Sequence, residues 1–323
     1  MTSVVLPRTD VHTHLVPELP DAAVGAVGLA FEGERLLVDG HLLGPADLYR
    51  PDRLAAWLPT AGLDRALVAI PPPLYRQGDD DAGAAAWAQA LNDGLAATTR
   101  AYESLVPLGY LPLEQPTAAL AEAERLVSSG WAGFTASAGA RSVSLASPSL
   151  RPLWRLLAQA NRPLLLHPGP APDSRLDEFY LGNLLGNPYE SGLAAAQLLL
   201  GGVLDDHPGL RVALVHCGGV LPVLLGRWQR GVDTTRPGID RTDADLRTQA
   251  RQLWVDCLAH DPAVLDLAVG VVGEEHVVIG SDWPFPMGTD DPVALVSHRG
   301  EVSTDQITRA NAAAFLGEQS YPS

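Results

Sequence analysis

The feature that most constrains this chain is a repeated alternation. Short apolar, β-branched runs recur along its 323 residues, each followed by a longer stretch rich in Ala, Leu and Arg. Eight runs are expected as strands: Asp10–His12, Ala66–Ile70, Leu105–Tyr110, Gly133–Thr135, Leu164–His167, Val212–His216, Leu253–Asp256 and Val277–Gly280. Helical patterns fall between them, at Pro51–Leu58, Ala82–Tyr102, Thr117–Ser128, Leu150–Gln159, Ser191–Leu204, Leu221–Arg230, Asp243–Arg251 and Pro262–Val272, with a last one at Thr304–Phe315. Strand–helix alternation specifies a parallel sheet covered by helices. Eight repeats fit an α/β fold consisting of one closed (β/α)8 TIM barrel, with residues 1–323 as a single domain. An open doubly wound sheet is the rival, but no Gly-x-Gly-x-x-Gly follows any of the runs. Three long connections break the rhythm: Val16 to Tyr49 after the first strand, Pro168 to Pro188 after the fifth, and Pro284 to Pro292 after the eighth. In a barrel, loops at these strand ends carry substrate contacts.

The residues at the strand ends are chemically rare types. His12 and His14 close the first strand, His167 the fifth, His216 the sixth and Asp282 the eighth. Side chains two apart on a strand point the same way, so His12 and His14 share a face. In a barrel these tips converge over the axis. Three imidazoles and a carboxylate suit one borderline divalent cation with a position left for water. Taken singly, each has a plain reading, as a surface histidine, a strand-end histidine or a turn aspartate. Their coincidence on matching ends of strands one, five, six and eight favours the site. His41, His207, His260, His276 and His298 read as loop or helix residues, with His41 left open because it lies in the long excursion.

Composition narrows the partners. A net charge of −16 disfavours nucleic acid and anionic membranes. The longest greasy stretch, Leu193 to Leu204, is interrupted by Gln197 and two glycines and reads as a buried helix, not a membrane span of ~18 apolar residues. All 22 basic residues are arginine, which excludes Schiff-base lysine chemistry, a carbamylated-lysine bridge and a P-loop. Two cysteines, Cys217 and Cys257, make no disulfide framework, and a reduced cytoplasmic setting is expected.

The order of motifs resembles the amidohydrolase superfamily, in its amidohydrolase family 2 branch, nearest to aminocarboxymuconate-semialdehyde decarboxylase-like proteins. The resemblance runs through Asp10-x-His12-x-His14, His167-Pro168, Asn187-Pro188-Tyr189-Glu190-Ser191, His216-Cys217-Gly218-Gly219 and Gly280-Ser281-Asp282-Trp283-Pro284-Phe285-Pro286. It implies His12, His14, His167 and Asp282 as metal ligands, and His216 with Asp282 as the catalytic pair, His216 being the acid/base. Zn2+ is the first expectation, with Mn, Fe or Co as alternatives. It also implies a homodimer in which Arg227, eleven residues beyond His216, reaches the substrate carboxylate across the interface. Trp283 and Phe285, with Tyr180, suggest a flat aromatic or conjugated acid as substrate.

One departure stands out. The family's arginine in the loop after strand one falls at Leu43 or Gly44 here, and the nearby Arg50 belongs to the next element. The substrate is therefore expected to differ from aminocarboxymuconate semialdehyde. The expected reaction is non-oxidative decarboxylation of a small unsaturated or aromatic acid. A lactonase- or hydratase-like reaction on the same site is the alternative, and a catalytically silent ligand-binding barrel is the rival of another class.

Overall fold

The structure is a computed structural model that describes residues 5–75, 80–139, 143–241 and 243–318. The two ends of the expected domain, 1–4 and 319–323, lie outside the described residues.

Eight parallel strands form a ring. They are β1 (Thr9–His14), β2 (Arg65–Ala69), β3 in two pieces (Leu105–Pro107 and Gly109–Tyr110), β4 (Phe134–Ser137), β5 (Leu164–His167), β6 (Val212–Leu214), β7 (Leu253–Asp256) and β8 (Val277–Val278). The first piece of β3 pairs with β2 and the second with β4. Leu108 between them carries the ladder across, donating to the Val68 carbonyl at 2.8 Å. Parallel bridges Asp10↔Ile279 and Thr13↔Trp283 join β1 to the end of β8 and close the barrel.

Strand alternation sorts the apolar residues into two layers. Val11, Leu67, Leu108, Leu165, Ala213 and Val278 point into the barrel. Their neighbours, such as Ala66, Val68, Leu164, Leu166, Val212 and Leu214, point out against the helices. Phe315 and Leu316 of the last helix, Asn311–Leu316, belong to the inner layer and floor the barrel. Trp254 of β7 packs on Phe315 with ring centroids 5.4 Å apart.

Helix starts follow local chemistry. Asp80 caps Asp81–Thr99 by accepting from the Gly83 amide at 2.7 Å, and Asp261 caps Pro262–Val272 with proline at the first turn. The fifth crossover helix begins at Asn187, four residues before expectation, because Pro188 sits in its first turn. It stops at Leu200, before the pair Gly201 and Gly202, and Val203–Asp206 is a separate turn. The last expected helix, Thr304–Phe315, is three pieces: Glu301–Asp305, a π-helical Gln306–Ala310, and Asn311–Leu316.

The excursion after β1 has its own structure. It holds a three-stranded antiparallel sheet of Ala30–Glu32, Arg35–Val38 and His41–Leu42. Asp39 and Gly40 turn its second hairpin with φ of 51° and 79°, the paired positive φ of a type I′ turn. The loop after β5 carries a short 3-10 turn, Ser174–Leu176, and a π-helical turn, Gly182–Gly186.

Candidate active site

A bulge in β1 aims its two histidines. Between Asp10 and Thr13 the register against β2 advances three residues on β1 but two on β2. Below the bulge, Val11 faces the barrel interior. Above it, His12 and His14 face the axis as well, although His12 is one residue out of phase with Val11. A bulge beside a site re-aims side chains in this way. Thr13 Oγ1 fixes the distorted segment by donating to the Leu67 carbonyl at 2.8 Å.

Three imidazoles have their Nδ1 engaged. His12 Nδ1 donates to Asp256 Oδ2 (2.8 Å), His14 Nδ1 to the Ile70 carbonyl (3.2 Å) and His167 Nδ1 to the Pro168 carbonyl (2.8 Å). Each neutral ring then leaves Nε2 as a bare acceptor. These three Nε2 atoms and Asp282 Oδ1 are buried and lack a hydrogen-bond partner among the described residues. Nε2 of His12 and of His14 lies 3.3 and 3.2 Å from that same Asp282 oxygen. Acceptors facing one another in a dry cavity cost free energy unless a cation lies between them. The residues therefore fit a divalent cation, with nitrogen and oxygen donors of the kind zinc takes.

His216 stands at the edge of this group. Ligand-capable atoms of His12, His167, His216 and Asp282 lie within 4.8 Å of one another. His216 Nε2 is 3.8 Å from Asp282 Oδ2, its Nδ1 has no partner, and its side chain is 16% exposed where His12 and His14 are sealed. Among the described residues no acceptor holds its Nδ1.

The electrostatics demand positive charge. Burial holds His14 below its ordinary value, and burial with the facing imidazoles of His14, His12 and His216 pushes His167 well below. Burial also works against charge on His12, but Asp282 and Asp256 outweigh it and raise this imidazole to about 10. Burial opposes ionisation of Asp282 too, yet the surrounding histidines hold its carboxyl well below the usual range.

The other expected residues separate. Phe285 lies against His14 with ring centroids 5.3 Å apart. It also lines a cavity of about 390 Å3 that opens on His167 and Asp282, with Pro72, Tyr180, Asn187 and Met287 among its walls. Trp283 is not among those walls; it is buried against Trp57, centroids 6.2 Å apart. Arg227 is exposed on the helix Leu221–Asp233 and lines no part of this cavity. No arginine does, among the described residues. His41 is exposed on the small antiparallel sheet. Arg50 forks onto Asp52 at the surface. Gly44 does approach the site, since an added Cβ there would lie 3.5 Å from the Phe285 ring.

Two residues without an expected role sit close by. Asp256 at the end of β7 holds His12, as described. Asp10 is fully buried, and its Oδ1 accepts from the His12 amide at 3.0 Å and the Ser281 amide at 3.2 Å; burial pushes its carboxyl up to about 7. A signal for Asp256 was available: its strand ends in a carboxylate at the level where β5 ends in a histidine.

A family model described as amidohydrolase matches residues 9–318. The chain is 27% identical over 329 residues to a 2-amino-3-carboxymuconate-6-semialdehyde decarboxylase of Dictyostelium discoideum, covering 96% of this chain and 91% of that protein. The 5-carboxyvanillate decarboxylase of Sphingomonas paucimobilis superposes with a TM-score of 0.79 at 21% identity, covering 97% of this chain and 99% of that one. A dihydroxybenzoic acid decarboxylase of Polaromonas, with bound manganese and an inhibitor, superposes with a TM-score of 0.76 at 19% identity over 96% of each chain.

Proposed function

The chain belongs to the amidohydrolase family, and from that premise we propose that it is a metal-dependent, non-oxidative decarboxylase of a small aromatic or unsaturated carboxylic acid. The observation that carries this reading is the group of three buried imidazole Nε2 atoms, unpartnered among the described residues, gathered beside Asp282, with those of His12 and His14 3.3 and 3.2 Å from its Oδ1. His12, His14, His167 and Asp282 would hold the ion, zinc before manganese, iron or cobalt. A bound divalent cation supplies Lewis acidity toward substrate oxygens and a water of lowered pKa.

The rest is the work of this chain's own side chains. His216, beside Asp282 at the edge of the buried group, carries a proton to the ring carbon that bears the carboxylate. As that carbon gains the proton, its bond to the carboxylate breaks, the electron pair stays with the ring and CO2 leaves. Phe285 and the proline and methionine walls hold a flat ring and exclude water. Among the described residues no arginine lines the cavity; the substrate carboxylate would meet the ion at the metal-holding residues or a cation from a second copy. Arg227 is our candidate for that cation, in a homodimer. Exposed Phe179, Tyr180, Leu184, Leu185 and Tyr189 on the rim after β5 support such a contact.

Residues 1–323 would act as one domain, in the cytoplasm. The two buried free cysteines support the reducing setting. No helix among the described residues is long and apolar enough to cross a membrane. The deciding experiment gives the metal-loaded protein a panel of hydroxy- and aminobenzoic acids beside a panel of lactones. Stoichiometric CO2 from an acid is expected. Lactone opening without CO2 release from any acid would replace this reading with a hydrolase.

A further inference from the structure

Strand β7 ends in a carboxylate that serves as neither ligand nor acid in the scheme above. Asp256 is fully buried. Its Oδ2 accepts from His12 Nδ1 at 2.8 Å, while its Oδ1 accepts from the Cys217 amide at 2.7 Å and the Leu258 amide at 3.2 Å. One carboxylate thus touches two parts of the site that come from different strands. The first is His12 on β1; the second is the turn after β6 that presents His216. That turn needs holding. His216 and Cys217 both have φ of 55°, a left-handed conformation uncommon for residues with a Cβ. The end of β8 makes room for the arrangement. An added Cβ at Gly280 would lie 2.7 Å from the Asp256 Cβ and 2.8 Å from its Oδ2, so only glycine lets the chain pass behind the carboxylate.

We propose that Asp256 is a positioning residue that locks the His12 ring and the His216 turn to each other, so that the ligand's lone pair and the proton-carrying imidazole keep a fixed separation. The proposal rests on the metal-centre part of the function above. A carboxylate can do this because both of its oxygens accept. An amide cannot. In Asp256→Asn one side presents an oxygen and the other an NH2, which must face either the Cys217 N–H or the His12 Nδ1–H. If it faces His12, relief comes by moving that ring's proton to Nε2, the atom the metal needs. If it faces Cys217, the strained turn loses its anchor and His216 drifts. Carboxylate partners behind metal-bound histidines commonly matter by 10- to 100-fold in affinity.

The test uses the Co(II)-substituted full chain. Visible absorption reports the ligand geometry, and the rate of metal loss to a chelator reports how firmly it is held. Asp256→Asn is expected to shift the cobalt spectrum and to weaken metal binding roughly 10- to 100-fold. Gly280→Ala keeps the carboxylate but displaces it, and is expected to shift the spectrum in the same sense. Phe315→Ala, on the barrel floor, serves as the control for mere destabilisation and should leave the spectrum unchanged. A folded Asp256→Asn with the parent spectrum and the parent rate of metal loss would overturn the proposal. Should that variant not fold, Gly280→Ala decides in its place, an unchanged spectrum again counting against it. Neither readout needs turnover. Protein that shows the expected cobalt changes but releases no CO2 from any acid sinks the decarboxylase reading and leaves the role of Asp256 standing.

Discussion

The two ends of this barrel are built by the same strands to opposite specifications. At the lower end, Val11, Leu67, Leu165, Ala213, Trp254 and Val278 close on Phe315 of the last helix, an apolar plug in which nothing is left unpaired. Two residues further along β5 and β7, the same inward positions hold His167 and Asp256. There, three imidazole Nε2 atoms and Asp282 Oδ1 face each other with no hydrogen-bond partner among the described residues, an arrangement that calls for positive charge, a metal ion or a proton on His12. The lower end is held by apolar packing; the upper end calls for positive charge. Stability and chemistry are thus divided along the barrel axis, as the architecture in general permits. The division should be visible in variants.

The largest contrast is expected from Asp282→Ala. It removes the oxygen on which two imidazoles converge, so bound metal measured by elemental analysis should fall to background and activity with it. Stoichiometric metal in that variant would break the comparison at its upper half. His216→Asn should keep the metal and lower kcat by about 10²- to 10⁴-fold, the usual worth of a positioned acid/base group. Loss of both metal and rate there would make His216 a ligand rather than a proton carrier. The lower half is probed by Phe315→Ala, which should cost about 3–5 kcal/mol in urea unfolding, with kcat and metal content unchanged. A fall in kcat would show that the floor and the mouth are coupled.

The smallest effect concerns pH. His12 is raised to about 10, so it carries a proton in the metal-free protein at neutral pH, whereas His14 and His167 are pushed down and carry none. Metal binding must then displace about one proton below pH 10. Affinity should fall about tenfold for each unit of acidification between pH 8 and 6, read by calorimetry in buffers of different ionisation enthalpy. A flat profile would mean that the ring does not await a positive charge.

Much of the upper end was legible because its residues are conspicuous. Imidazoles closing apolar runs are rare, and their register with the other strand ends carried the inference. The bounds of β5 and β7 also agree with expectation, since each is a continuous apolar run stopped by a polar residue. What stayed hidden depends on contacts far apart in the chain. Asp256 meets His12 across 244 residues; the carboxylate ending its strand marked the position but not the ring it holds. The β1 bulge exists only in the pairing with β2. The small antiparallel sheet had its turn signal in Asp39-Gly40, but its strands are two to four residues long, too short to stand out. Trp283 and Phe285 look equivalent in sequence, and only the folded chain parts them, one into the core and one into the cavity.

The last helix has a bearing on how this protein is made. Phe315 completes the inner layer, and β1 finds its second neighbour only at Ile279 to Trp283. A ribosome that has released the first half of the chain has therefore released a sheet with an open edge and no stopper. Closure waits until Ile279 to Trp283 and then Phe315 have emerged, and chains cut short before Phe315 would offer their greasy lumen to chaperones and proteases.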